Sequence, residues 1–194
     1  MLMVSSDPAR VERELAAGVL RCPGCAERLA PWGQARWRNV RLVDGEQRLR
    51  PRRARCVSCG WTHVLLPDLM LVRRRDSVAV IGAAFVAHAA GENDRQIAAR
   101  IGRHPSTVRG WLRRFRSRAV SIAGFFTQWA LALSPGLNPP APAGTSWGDA
   151  VEAVGLATRA AVLRFGPLAG WELAARLTGG GLLANTSCLW IAPG

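Results

Sequence analysis

The sequence contains no lysine: all 26 basic residues are arginine. Abundant Ala, Gly, Pro and Arg are together what a GC-rich genome favours, so the preference for Arg says little about partners, and the position of the charge says more. Carboxylates are scarce after Ala119, where only Asp149, Glu152 and Glu172 occur. These lie on predicted helices in a short segment, which argues against their forming a three-carboxylate catalytic site. There is also no apolar run fit to cross a bilayer, since the longest uncharged stretch between helix breakers, Ala119–Leu133, is too short and carries Gln128. The run Met1–Ser6 is followed at once by Asp7, Arg10, Glu12, Arg13 and Glu14, which is not a signal-peptide pattern. The expectation is a cytoplasmic, nucleoid-associated protein without a membrane partner.

The charge that is present is strongly asymmetric. Residues 1–118 hold 23 Arg against 10 acidic residues, whereas residues 119–194 hold three of each. A basic half joined to a neutral one suits attraction to phosphate, because every neutralised phosphate releases condensed counterions. Double-stranded DNA is the expected partner. A hydrophobic content of 49% excludes a mainly disordered chain.

Cys22-Pro-Gly-Cys25 and Cys56-Val-Ser-Cys59 form two C-x2-C pairs separated by thirty residues. This spacing lets both thiolates of a pair turn back onto one tetrahedral ion, and Gly24 and Gly60 are expected to supply freedom in φ. One structural Zn2+ on Cys22, Cys25, Cys56 and Cys59 is expected, with no catalytic role, in a ribbon too small to fold securely on its own core. His63 reads as a strand residue and Cys188 as a buried thiol. Strands are expected within Trp32–Leu49, turning at Asp44-Gly45, and at Arg53–Val57 and Trp61–Leu66. A short helix at Val11–Val19 precedes them.

Ser77–Ala90 reads as a helix, followed by a helix that Asn93 caps with Gln96 three residues on, a turn at Gly102, and a third helix opened by Pro105. Val108, Trp111, Leu112 and Phe115 fall on its inner side, and Ser106, Thr107, Arg109, Gly110, Arg113, Arg114 and Arg116 on or beside the outer one. Small residues and arginines on one helix face suit entry into a major groove. With the basic joint Arg73-Arg74-Arg75, these are the candidate DNA-binding residues. Gly110 is expected to leave space for DNA. The third helix is expected to continue through Ala119–Leu133.

The fold class expected is mainly α with a small β zinc ribbon. Its parts are a four-cysteine ribbon (1–72), a three-helix helix-turn-helix domain (73–118), a helical extension (119–133), a Pro/Gly linker (134–146) and a helical tail (147–194) with helices at Trp147–Phe165 and Leu168–Leu177. Over Cys22–Cys59 and Ser77–Phe115 the chain resembles a family of uncharacterised, actinobacterial-type proteins that join a zinc ribbon to a helix-turn-helix. It is also similar in layout to the N-terminal DNA-recognition part of insertion-sequence transposases. The resemblance implies DNA recognition in or beside mobile elements, by an accessory or targeting protein that is not itself an enzyme. A homodimeric transcriptional regulator and a non-catalytic remnant of a transposase are the alternatives. The tail would then fold back on Ala119–Leu133, the favoured reading, or meet a separate transposase or a second copy.

Overall fold

The computed structural model of the chain describes residues 1–138 and 141–184. Among these it is a mixed α and β structure of seven helices and six short strands. The expected reading of Cys188 lies outside the described residues.

The first strand, β1 (Leu2–Val4), lies at the edge of a four-stranded sheet and pairs in parallel with β6 (Thr62–Pro67). The sheet continues through β5 (Arg52–Cys56) to β2 (Leu29–Gln34), both pairings antiparallel. The sequence pattern predicts neither β1 nor β2 as such. β1 is three residues long and owes its conformation to a strand about sixty residues away. β2 contains Pro31 and Gly33, and its register slips between Pro31 and Gln34, so its own residues argue against the strand they form. The strands β3 (Arg38–Leu42) and β4 (Gly45–Leu49) make a separate hairpin whose turn is Val43-Asp44, one residue before the expected Asp44-Gly45, because Gly45 already pairs with Leu42.

Helix α1 spans Pro8–Ala16, three residues earlier than the periodicity suggests. Asp7 caps it, accepting the N–H of Ala9, and Pro8 opens it, an entry that the apolar pattern does not report. Val11 and Leu15 are its buried face, against Val4, Leu29, Ala54 and Leu65 of the sheet.

Helix α2 (Val78–Ala89) begins at Ser77, whose hydroxyl accepts from the N–H of Val80. Asn93 caps α3 (Asp94–Ile101) with the reciprocal Gln96 bond in place. Gly102 then takes the left-handed conformation (φ 63°) that a β-carbon would disfavour, and α4 (Pro105–Arg116) starts at the expected proline. The expected continuation of α4 into the next helix fails. The chain breaks at Ser117 and Arg118, where the Ser117 hydroxyl donates to the carbonyl of Arg114 and the Arg118 guanidinium is drawn to the carbonyls of Gly181 and Ala184. Helix α5 (Ala119–Leu133) starts afresh, and α6 (Ser146–Phe165) and α7 (Gly170–Leu177) complete the structure.

One buried core runs through α2 to α7, from Leu71 to Leu183. Its centre is aromatic. Phe85 stacks on Phe115 at 4.2 Å, Trp147 meets both rings, and the indole N–H of Trp147 donates to the carbonyl of Phe85 (3.1 Å). Thus the segment after the Pro/Gly stretch packs on α2 and α4 as well as on α5. The end of α6 is different: Leu163 and Phe165 are exposed.

Candidate metal centre and basic surface

The two cysteine pairs fold into matching knuckles. In the first, the N–H of Cys22 donates to the carbonyl of Glu27 and the N–H of Ala26 to that of Cys22. In the second, the N–H of Cys56 donates to the carbonyl of Trp61 and the N–H of Gly60 to that of Cys56. The correspondence places Ala26 opposite Gly60, and both are left-handed, with φ of 59° and 74°. The expectation for Gly24 therefore needs correction. Its φ is not positive, and the strained position comes after the second cysteine, where an alanine stands.

Cys22 and Cys56 are buried, Cys25 and Cys59 exposed, and none is in a disulfide. The four sulfurs lie within 4.8 Å of one another, with Cys22 to Cys59 at 3.7 Å and Cys25 to Cys56 at 3.4 Å. Four thiolates about 2.3 Å from one tetrahedral ion stand about 3.8 Å apart, so the cluster can hold a metal ion. Its surroundings favour thiolate at one member. Burial pushes the Cys56 thiol up, but the N–H groups of Cys59 and Ser58 and the adjacent thiols outweigh it and bring it down to about 6. At Cys25 the Glu27 N–H favours the thiolate, yet the proton shared with Cys56 and burial push the thiol up to about 12. Cys59 is also raised, the Trp61 N–H being outweighed by burial and by Cys56. His63 on β6 is buried, with Nε2 3.4 Å from the Cys22 sulfur, and burial holds its imidazole below the usual range.

The expected basic helix face is α4. Val108, Trp111, Leu112 and Phe115 are buried in the helical core, as expected, while Ser106, Arg109 and Arg113 are exposed or partly so. Their neighbours are not equally free. Arg109 pairs with Asp94 of α3 at 2.8 Å, and Arg114 folds back to donate to the carbonyl of Gly110 (2.9 Å). Arg116 donates to Nε2 of His88 (2.9 Å), which fixes the His88 proton on Nδ1, facing the carbonyl of Glu92. His104 caps α4, its Nδ1 accepting from the N–H and hydroxyl of Ser106. A β-carbon at Gly110 would stand 3.2 Å from the Arg114 guanidinium, which gives this glycine a use within the protein besides the expected space for DNA.

Arg73, Arg74 and Arg75 lie beside the hairpin, not on α4. Arg73 has φ of 61°, a conformation costing a non-glycine residue about 1 kcal/mol. Arg74 donates to the carbonyl of Leu183, and burial together with the charge of Arg114 lowers its guanidinium from the usual range. The backbone of Arg75 and Ser77 pairs with Arg41 of β3. Between them Asp76, buried to 3% exposure, takes Arg41 at 2.9 Å on one oxygen and Arg103 on the other, and Arg103 also reaches the carbonyl of Leu42. This clamp ties the hairpin to the turn between α3 and α4. Nothing in the local pattern around Asp76 marks it, because its partners come from two remote segments.

Three ribbon tryptophans, Trp32, Trp37 and Trp61, are at least half exposed. Arg55 lies over Trp32 (4.7 Å), and Arg48 and Arg50 over Trp37 (4.7 and 5.8 Å). The abundance of Trp and Arg here is visible in the sequence, but not which rings the sheet leaves uncovered.

Residues 22–111 match the model of a family described as a domain of unknown function (DUF6431), a span that takes in both knuckles, α2, α3 and the first half of α4. No curated protein and no solved structure matches the chain. Among the described residues no helix is long and apolar enough to cross a membrane.

Proposed function

We propose that this is a sequence-specific DNA-binding protein in which α3, the Gly102 turn and α4 act as a helix-turn-helix and a zinc ion on the four cysteines holds the ribbon together. The observation that carries the reading is the division of α4: an apolar side sunk in the helical core, and an outer side of Ser106, Thr107, Arg109, Gly110 and Arg113. Small residues near the start of such a helix would admit it to the groove floor, and the exposure of Arg113, whose guanidinium makes no hydrogen bond or ion pair among the described residues, supports its reading a guanine edge. Arg109 reaches DNA by exchanging Asp94 for a phosphate or base, a small cost for an exposed pair. The zinc is structural, since four cysteines fill a tetrahedral shell and leave no position for a reactant.

The resemblance in layout to insertion-sequence transposases makes an accessory or targeting role in transposition the specific form of the reading, without catalysis by this chain. The second reading is a homodimeric regulator, and the exposed Leu163 and Phe165 favour it as a surface for a second copy.

Selection of bound sequences from a random duplex pool by the zinc-loaded protein, at two salt concentrations, is the test. The expected result is a motif that persists at the higher salt. A palindrome identifies the dimeric regulator and a single site the accessory role. Arg113→Ala should weaken the selected site by about 1–3 kcal/mol and loosen one position of it. Binding that enriches no motif and collapses with salt overturns the proposal.

A further inference from the structure

A cleft of about 690 Å³ opens between the β3–β4 hairpin and the Arg73–Arg75 segment, beside the Asp76 clamp. Its lining contains Arg36, Arg38, Arg48, Arg73, Arg74 and Arg75, with Asn39, Met70 and Trp37, and not one carboxylate. Six arginines lining one cleft without an acid make it a site for an anion. Arg36, Arg48, Arg73 and Arg75 are exposed, so their donors are open to a ligand.

Phosphate is the anion that arginine clusters fit best, through paired N–H donors. Trp37 says what the phosphate is attached to. Its ring is half exposed at the rim of the cleft and is held in place by Arg48 and Arg50, the latter fixed in turn by the carbonyl of Ala35 (3.0 Å). A fixed, exposed indole beside phosphate-binding arginines is a platform for a nucleobase. In a duplex each base hides its faces against its neighbours, so only an unpaired base can use it.

We infer that this cleft binds a single strand of DNA, with phosphates on its arginines and an unpaired base stacked on Trp37. The inference rests on the reading of the protein as a DNA binder and specifies its substrate as a duplex with a splayed or single-stranded end. The duplex lies on α4 and the loose strand runs into the cleft past Arg74, which is close enough to Arg114 to feel its charge.

Fluorescence anisotropy of the zinc-loaded full chain with two labelled duplexes tests it. The duplexes carry the same selected site, one blunt and one with a single-stranded overhang of about six nucleotides. The overhang should tighten binding about tenfold, Trp37→Ala should abolish that gain, and Trp37→Phe should keep most of it. Arg113→Ala should weaken both duplexes equally and leave the gain intact. An overhang that adds nothing, or a Trp37→Ala loss equal on both duplexes, overturns the inference. If Arg113→Ala changes neither affinity while Trp37→Ala still removes the gain, the cleft stands and the role given to α4 falls.

Discussion

Gly110 can be made to report on its own purpose. Alanine is favoured over glycine inside a helix by about 1 kcal/mol, and the one close contact its methyl would make, at 3.2 Å, is with the movable end of Arg114. Gly110→Ala should therefore raise stability by about 0.5 kcal/mol in a urea titration while weakening DNA binding, since both the methyl and a displaced Arg114 would intrude on the outer face. A variant that is more stable and binds equally well would show that the glycine is not kept as space for DNA. The cysteines make a second prediction at this scale. Because the thiols of Cys25 and Cys59 are raised and must give up their protons to a metal, binding releases protons and acid opposes it. Zinc affinity, measured by competition with a chelating dye, should fall steadily from about pH 8 to about pH 6. An affinity independent of pH would exclude those thiols as ligands. The identity of these four residues is legible in the sequence because C-x2-C spacing is a local matter. The strain at Ala26 is not, because φ depends on the hydrogen bonds that close the knuckle, and the glycine at position 24 draws attention to the wrong residue.

Whole elements show the same division between local and remote causes. Helices α3 and α4 announce themselves through Asn93, Gln96, Gly102 and Pro105, each acting within a few residues of its own position. The strands β1 and β2 are set by partners far along the chain, and β2 keeps its place despite Pro31 and Gly33. The seat of α7 on α2 belongs to this second kind. Gly82 is buried in α2, and a β-carbon there would come within 2.3 Å of the Trp171 ring, which also meets Phe85 edge-on at 5.6 Å. Gly82→Ala should cost about 2 kcal/mol, because a rigid indole must move and the gain in helix propensity offsets only part of the strain. Thermal unfolding followed by near-ultraviolet circular dichroism would register both the loss and the altered Trp171 environment. Unchanged stability would mean that α7 does not pack on α2 as described.

At the scale of the molecule, the ribbon and the helices are joined through two buried carboxylates, Asp68, which takes Arg176 of α7, and Asp76. Asp76 sits between Arg41 of the hairpin and Arg103 of the α3–α4 turn, and both Asp76 and Arg103 are well shielded from water. Asp76→Ala leaves Arg103 buried without an anion and should destabilise the protein by about 3 kcal/mol. The Asp68–Arg176 pair still joins ribbon to helices, so chemical unfolding of the zinc-loaded variant should stay a single transition shifted to lower denaturant. A single, unshifted transition would deny the clamp its role. Composition places the basic charge in the first part of the chain, but only the folded arrangement shows two buried acids, Asp68 and Asp76, holding the ribbon against the helices.

Trp147 has a consequence in time. The aromatic centre formed by Phe85 and Phe115 is closed by a ring that follows Phe115 by more than thirty positions in the chain. At about 5–20 residues per second, synthesis leaves that centre open for about two to six seconds after α4 has been made. During that interval the nascent chain offers its apolar side to whatever surrounds it, so the moment when the protein most needs a chaperone is written into the distance between α4 and α6.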